Sequence, residues 1–239
     1  MIYKLTAQQN LLLKKGLQAA MATFFVDGVE DFVWEAIFSY AKGIKITDLL
    51  NQKRAKLLFD VVDTKNKIGW SAKTVLTTSF SSGHEVELVI QRADILGKNS
   101  SLSKNTSPEI LGKTILEHWN RKIENDSVAQ NVNDKRVCIL LKARDYAQYA
   151  YMEESLEQYK VNQIDWTWTD DNKKGLQGRR KKDNKVVFRW YASGGQLFER
   201  FVLPENLEVI KINPKVLPAD DVVNFLNTAV ESLESLEQN

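Results

Sequence analysis

A chain of 239 residues with 43% hydrophobic and 27% charged residues has the make-up of a soluble globular protein. Its length allows a full hydrophobic core without disulfides or structural metals, and its single cysteine excludes an internal disulfide. No apolar run approaches the ~20 residues of a membrane span, and the N-terminus lacks the pattern of a signal peptide. A cytoplasmic location is expected.

The net charge of +2 hides an uneven distribution. Eight basic residues against one acid lie between Lys173 and Arg189, whereas Ala219–Asn239 carries five acids and no base. A local basic excess can bind a polyanion on a nearly neutral protein.

In chain order, residues 6–21 open with Thr6 as a helix N-cap and place Leu12, Leu13, Leu17 and Ala20 at helical spacing. A second helix is expected after Asp27-Gly28, with Val33, Ile37, Phe38 and Ala41 on one face, Glu35 within it and Gly43 as its stop. Two strand-like runs follow, Lys56–Asp63 and Ile68–Thr77, joined by the polar turn Thr64-Lys65-Asn66-Lys67. A third strand, Glu85–Gln91, alternates Val86, Leu88 and Ile90 with Glu85, Glu87 and Val89. Residues 97–107 form a polar loop. A helix then starts at Ser107-Pro108-Glu109, its stripe made of Leu111, Ile115, Trp119 and Ile123. Val137–Leu141 reads as a strand buried on both faces, with Cys138 a core residue inside it.

The last third is rich in Tyr and Trp. Trp166 and Trp168 alternate with Asp165 and Thr167, giving one aromatic strand face. Val186–Tyr191 and Gln196–Leu203 form a hairpin turned at Ala192–Gly195, and a terminal helix from about Asp220 shows Val223, Leu226, Val230 and Leu233 at helical spacing. That stripe can pack on the domain or serve a homodimer. The order of elements gives an α/β (α+β) fold with a mixed sheet flanked by helices, read as a single domain over 1–239 with a core at about 28–145 and a C-terminal part at about 146–239.

The segment Asp60-Val61-Val62-Asp63 to Ser71-Ala72-Lys73-Thr74 carries the chemistry. Ser71 and Lys73 are two apart and share a strand face, and Asp63, with Asp60 as its alternative, can lie across the hairpin from them. A carboxylate suits a hard divalent cation, Mg2+ above all, and a nearby amine can hold a water or offset charge developing on phosphorus.

These residues resemble the PD-(D/E)XK nucleases, which include many type II restriction endonucleases. The family core of helix, three-stranded meander, helix and strand is similar to the order read over residues 30–142. The spacing from Asp63 to Ser71, with Gly69 before Ser-x-Lys-Thr, looks most like the MutH-like branch. The resemblance implies a restriction-endonuclease-like αβββαβ core with an added hairpin and helix. It implies that Asp63 and Glu35 hold Mg2+, that the Ala72 carbonyl completes the metal shell, that Lys73 orients the nucleophilic water, and that Ser71 supports the shell. Ser71 stands where the family has its second acid, so a glutamate must come from elsewhere. Glu35 is preferred, and Glu87, fourteen residues after Lys73, is its rival.

The implied activity is site-specific cleavage of double-stranded DNA, as one half of a restriction–modification pair. The alternatives are a DNA-binding protein that does not cut and a mismatch or nicking repair nuclease on the same core. Candidate DNA contacts are Arg92, Arg179, Arg180, Lys181, Lys182, Lys185 and Arg189, with Arg200 beside the last hairpin. His84 and His118 have no Cys/His set around them, which argues against zinc.

Overall fold

Local capping sets the start of the first helix and the stop of the second. The computed structural model describes residues 3–22, 29–45, 57–98, 102–103, 105–213 and 216–237. Helix α1 (Ala7–Ala22) starts at a reciprocal cap in which Thr6 Oγ1 accepts from Gln9 N at 3.2 Å and Gln9 Oε1 accepts from Thr6 N at 3.0 Å. Helix α2 (Asp31–Lys42) stops at Gly43, whose φ of 69° suits a residue without Cβ. Its expected start at Asp27-Gly28 lies outside the described residues, as does part of the 97–107 loop.

Among the described residues, ten strands form two sheets. The first has the order β1 (Val61–Asp63), β2 (Ile68–Thr77), β4 (Asp134–Ala143), β5 (Gln148–Ser155) and β10 (Val209–Lys211). Strands β2 and β4 run parallel, joined through α4 (Pro108–Ala129), and the other neighbours are antiparallel. The second sheet is antiparallel, in the order β3 (Glu85–Arg92), β9 (Gln196–Val202), β8 (Lys185–Tyr191), β7 (Gly175–Arg180) and β6 (Ile164–Trp168). A short helix α3 (Ile95–Lys98), a 3₁₀ turn at Val161–Gln163 and a C-terminal helix α5 (Ala219–Glu237) complete the chain.

The mixed α/β composition is the one expected, but the meander is not. Strand β3 leaves β2 and pairs with β9, more than a hundred residues later. The residues between Thr77 and Glu85 turn through Ser79, Ser81 and Gly83 (φ 77°) and carry the chain across to the second sheet.

Side-chain alternation sorts the interior into two cores. Val75, Ile139 and Leu141 of the first sheet meet α4 and the inner face of the second sheet, with Val86, Leu88, Trp166, Phe188, Trp190 and Leu197. The opposite face of the first sheet, with Trp70, Ala72, Cys138 and Leu140, meets α1 and α2 through Leu13, Leu17, Trp34, Ile37 and Phe38. Burial of large apolar side chains contributes roughly 1.5–3 kcal/mol each, so both cores are substantial. Leu111, Ile115, Trp119 and Ile123 of α4 are all buried as their spacing requires. Gly112 lets Trp166 lie directly on the helix, since a Cβ there would fall 2.1 Å from the indole. On α5 the stripe begins exposed: Val223 and Leu226 face solvent while Val222 is buried. The side chains of Val230 and Leu233 lie outside the described residues. No helix among the described residues is long and apolar enough to cross a membrane.

Candidate functional site

Strand parity decides which aspartate meets Lys73. The β1–β2 register pairs Asp63 with Ile68, Val62 with Gly69 and Val61 with Trp70. Continued by one residue, it sets Asp60 opposite Ser71, and Asp60 N donates to Trp70 O at 2.9 Å. Residues opposite each other share a face, so Asp60, Ser71 and Lys73 fall on the side of the α4 core. There Asp60 Oδ2 accepts from Ala72 N at 2.8 Å and lies 3.8 Å from Lys73 Nζ. Both side chains keep an opening to solvent, 21% for Asp60 and 25% for Lys73.

Asp63 falls on the opposite face, with Ile68, Trp70 and Ala72, and does not converge on Lys73. It closes the turn instead. Its Oδ1 accepts from Lys65 N and Asn66 N, both at 3.0 Å, and its Oδ2 accepts from Asn66 Nδ2 at 2.7 Å. The Asn66 amide and these backbone donors hold its carboxyl below the usual carboxylate range. The expected convergence of Asp63 with Lys73 over one cation is not what the hairpin builds: Asp63 caps the turn, and Asp60 stands at the lysine.

Ser71 is buried (1% exposed), and its hydroxyl has no hydrogen-bond partner. A buried polar atom left in this state costs about 1–3 kcal/mol. In the parallel ladder Ser71 stands beside Val137 and Lys73 beside Ile139, so the wall around the pair is apolar.

The two rival glutamates lie elsewhere. Helix α2, which carries Glu35, packs over the Trp70–Ala72 face, opposite the one that bears Ser71 and Lys73. Glu87 belongs to the second sheet, with its Oε1 3.1 Å from Arg189 Nη1 and 3.0 Å from Arg200 Nε. A glutamate engaged by two arginines on another sheet is an ion-pair residue and not a ligand at Lys73. Among the described residues, no three acidic, His or Cys side chains gather as a metal cluster.

The basic candidates split by partner. Arg180 is held in a bidentate pair by Asp183 at 3.0 and 2.7 Å, Lys181 lies 3.5 Å from Asp165, and Arg189 is tied to Glu87. Arg200 pairs with Glu85 at 2.6 Å. Arg179 Nη1 donates to the carbonyl of Asn184 at 3.1 Å. Arg92, Lys182 and Lys185 are exposed. The hairpin tip at 181–184 thus presents cations at its rim, with the stems partly neutralised.

Two groups escaped sequence reasoning. Glu153, fully buried, accepts from Lys42 Nζ (2.8 Å), Trp70 Nε1 (2.7 Å), Arg136 Nη1 (2.8 Å) and the Tyr151 hydroxyl. Burial pushes its carboxyl up, but these four donors outweigh that and hold it below its ordinary value. Arg136 also lies over the Tyr3 ring at 3.6 Å. The second group is Glu199, beside Tyr159, whose carboxyl is pushed up to about 7 by burial. The only available signal was a charged residue inside a strand of aromatic and apolar neighbours. Cys138 is buried beside Glu153, and burial pushes its thiol up, in keeping with a core role.

Compared with protein-family models, with curated proteins and with solved structures, the chain matches none of them.

Proposed function

We propose that the chain is a metal-dependent endonuclease of double-stranded DNA, with Asp60 and Lys73 as its central pair. The observation that carries this reading is the 3.8 Å approach of Lys73 Nζ to Asp60 Oδ2 at a solvent opening, with the unpartnered Ser71 hydroxyl on the same face. An acid and an amine at a sheet edge are the parts that phosphodiester hydrolysis needs. The motif keeps the order of the resembling nuclease family, with Asp60 in place of Asp63.

The donor set suits Mg2+, which usually takes one or two carboxylates and completes its shell with waters and substrate phosphates. Asp60 would supply the carboxylate, and Ser71 and the Ala72 carbonyl the neutral oxygens. When bound, such an ion lowers the pKa of the attacking water and polarises the phosphoryl oxygen. The remaining work belongs to the chain. The Lys73 ammonium donates to the water or to the phosphoryl oxygen and offsets charge as it develops there. The Ala72 N–H fixes the Asp60 carboxylate toward Lys73. The apolar wall of Val137 and Ile139 keeps bulk water from the far side of the pair and strengthens both electrostatic contacts.

Double-stranded DNA as substrate rests on the cationic rim at Arg179, Lys182 and Lys185, which would meet phosphates as a positively charged edge. A DNA-binding protein without cleavage is the second reading. It is favoured by the single carboxylate at the pair, where the resembling family has two.

Incubation with phage DNA in Mg2+ and in EDTA separates the readings. The proposal expects discrete fragments in Mg2+ and intact DNA in EDTA. A mobility shift with no fragments in either would overturn it in favour of the binder.

A further inference from the structure

Strands β8 and β9 part company before β8 reaches its hairpin. Their ladder runs from Tyr191–Gln196 to Phe188–Glu199 and ends there. Beyond that point β9 continues to Val202, paired with β3 alone, while β8 runs back to Lys185, paired with β7 alone. The gap is a cleft of about 620 Å3 within the second sheet. That volume falls inside the roughly 300–1,000 Å3 range of small-ligand sites. Backbone groups on its two inner edges have no ladder partner across it, so it offers main-chain donors and acceptors to a ligand.

The lining is specific in chemistry. Where the strands diverge stand Phe188, Glu199 and Tyr159, the tyrosine ring edge-on to Phe188 at 4.7 Å. Burial pushes the Glu199 carboxyl up to about 7, so near neutrality it is held between its two protonation states. Around the cleft stand Lys160, Arg179 and Lys185, none of them in an ion pair with a carboxylate among the described residues. Arg180 and Arg200 also line it, but Asp183, Glu85 and Glu87 engage them. A ligand for this cleft carries an anion at one end and a flat polar group with hydrogen-bond donors at the other.

We propose that the gap between β8 and β9 is a nucleotide pocket that takes a guanine base against Glu199 and its phosphate on Lys160, Arg179 and Lys185. Guanine presents adjacent N1–H and N2 amino donors, which match the two acceptor oxygens of an ionised carboxylate. Adenine and cytosine set a ring acceptor beside their amino group, and thymine flanks its one donor with two carbonyls. Each of these turns a lone pair toward the carboxylate. The proposal deepens the DNA reading and rests on it only for the source of the nucleotide.

The test is calorimetric titration of the full chain in EDTA with dGMP, dAMP, dCMP and dTMP. dGMP is expected to bind about tenfold tighter than dTMP, the discrimination a bidentate pair provides. Glu199→Gln should bring that ratio close to one, and the double variant Arg179→Ala/Lys185→Ala should weaken all four nucleotides alike. Lys73→Ala, in the other sheet, should leave the four nucleotide affinities in EDTA as they are. Should Glu199→Gln lower the melting temperature, the double variant, made on the rim of the hairpin, carries the test. Displacement of dGMP by a guanine-containing duplex identifies a nucleotide within DNA as the occupant, and persistence of dGMP identifies a free nucleotide. Absence of dGMP binding, or a guanine preference unchanged in Glu199→Gln, overturns the pocket. The titration uses neither metal nor the Asp60–Lys73 pair, so failure of the pocket and failure of the nuclease reading are seen separately.

Discussion

Lys73→Ala is expected to lower Mg2+-dependent DNA cleavage by about 10²–10³-fold, the usual loss when one preorganised donor to a transition state is removed. Stability should change little. The Asp60–Lys73 contact is partly open to solvent, and such pairs contribute about 1 kcal/mol or less. The measurement is single-turnover cleavage alongside a thermal melt. A Lys73→Ala protein that melts like the parent but cuts at full speed would remove the amine from the mechanism, whereas a loss of cleavage with an unchanged melt places its role in the chemistry. DNA binding in EDTA should survive, because the cationic rim lies on β7 and β8 in the other sheet.

The second large effect lies behind the site. Glu153→Ala would leave Lys42 and Arg136 facing each other without their shared acceptor, beside the Trp70 and Tyr151 donors. Removing one partner of a buried charge cluster costs about 3–5 kcal/mol. In a chain of this length that lowers the melting temperature by roughly 6–20 °C. Glu153→Gln keeps an acceptor for Trp70 and Tyr151 and should fall between. The pH dependence has a fixed sign. The folded carboxyl titrates below its ordinary value of 4.5, so its contribution is complete above that value and is lost as pH falls through the lower, folded one. The parent should therefore lose stability on acidification below about pH 4.5, and Glu153→Gln should lose less. Equal acid limbs for the two proteins would show that the charge of Glu153 does not stabilise the fold. The cluster also matters for the site. It packs Trp70 from behind, and Trp70 sits one residue before Ser71 on β2.

Much of the architecture was legible in the sequence because it is written locally. Thr6, Ser107 before Pro108, and Gly43 after Lys42 are capping signals that act within a few residues, and helices start or stop there. The apolar run Val137–Leu141 declared a buried central strand, and Ser71 and Lys73 share a face as period two demands. The partner of β3 was not legible. Alternation identifies a strand but not what it pairs with, and β9 lies over a hundred residues away. The same limit hid Glu153 and Glu199, whose surroundings are assembled from distant segments.

Asp63 illustrates a subtler limit. It and Asp60 are three residues apart, so they fall on opposite faces of the strand, and the register is set by the turn. An aspartate just before a turn is also well placed to cap it, and Asp63 does so with Lys65 and Asn66. The sequence offered both candidates, and only the pairing of Val61 with Trp70 separates them.

The most direct measurement is cleavage by Asp60→Asn and Asp63→Asn proteins, assayed side by side on the same DNA in Mg2+. Asp60→Asn should lose about 10²-fold or more, while Asp63→Asn, altered only at a solvated turn, should stay within about threefold of the parent. A silent Asp63→Asn enzyme beside an Asp60→Asn enzyme at full speed would contradict the assignment of the site to the Asp60–Lys73 face.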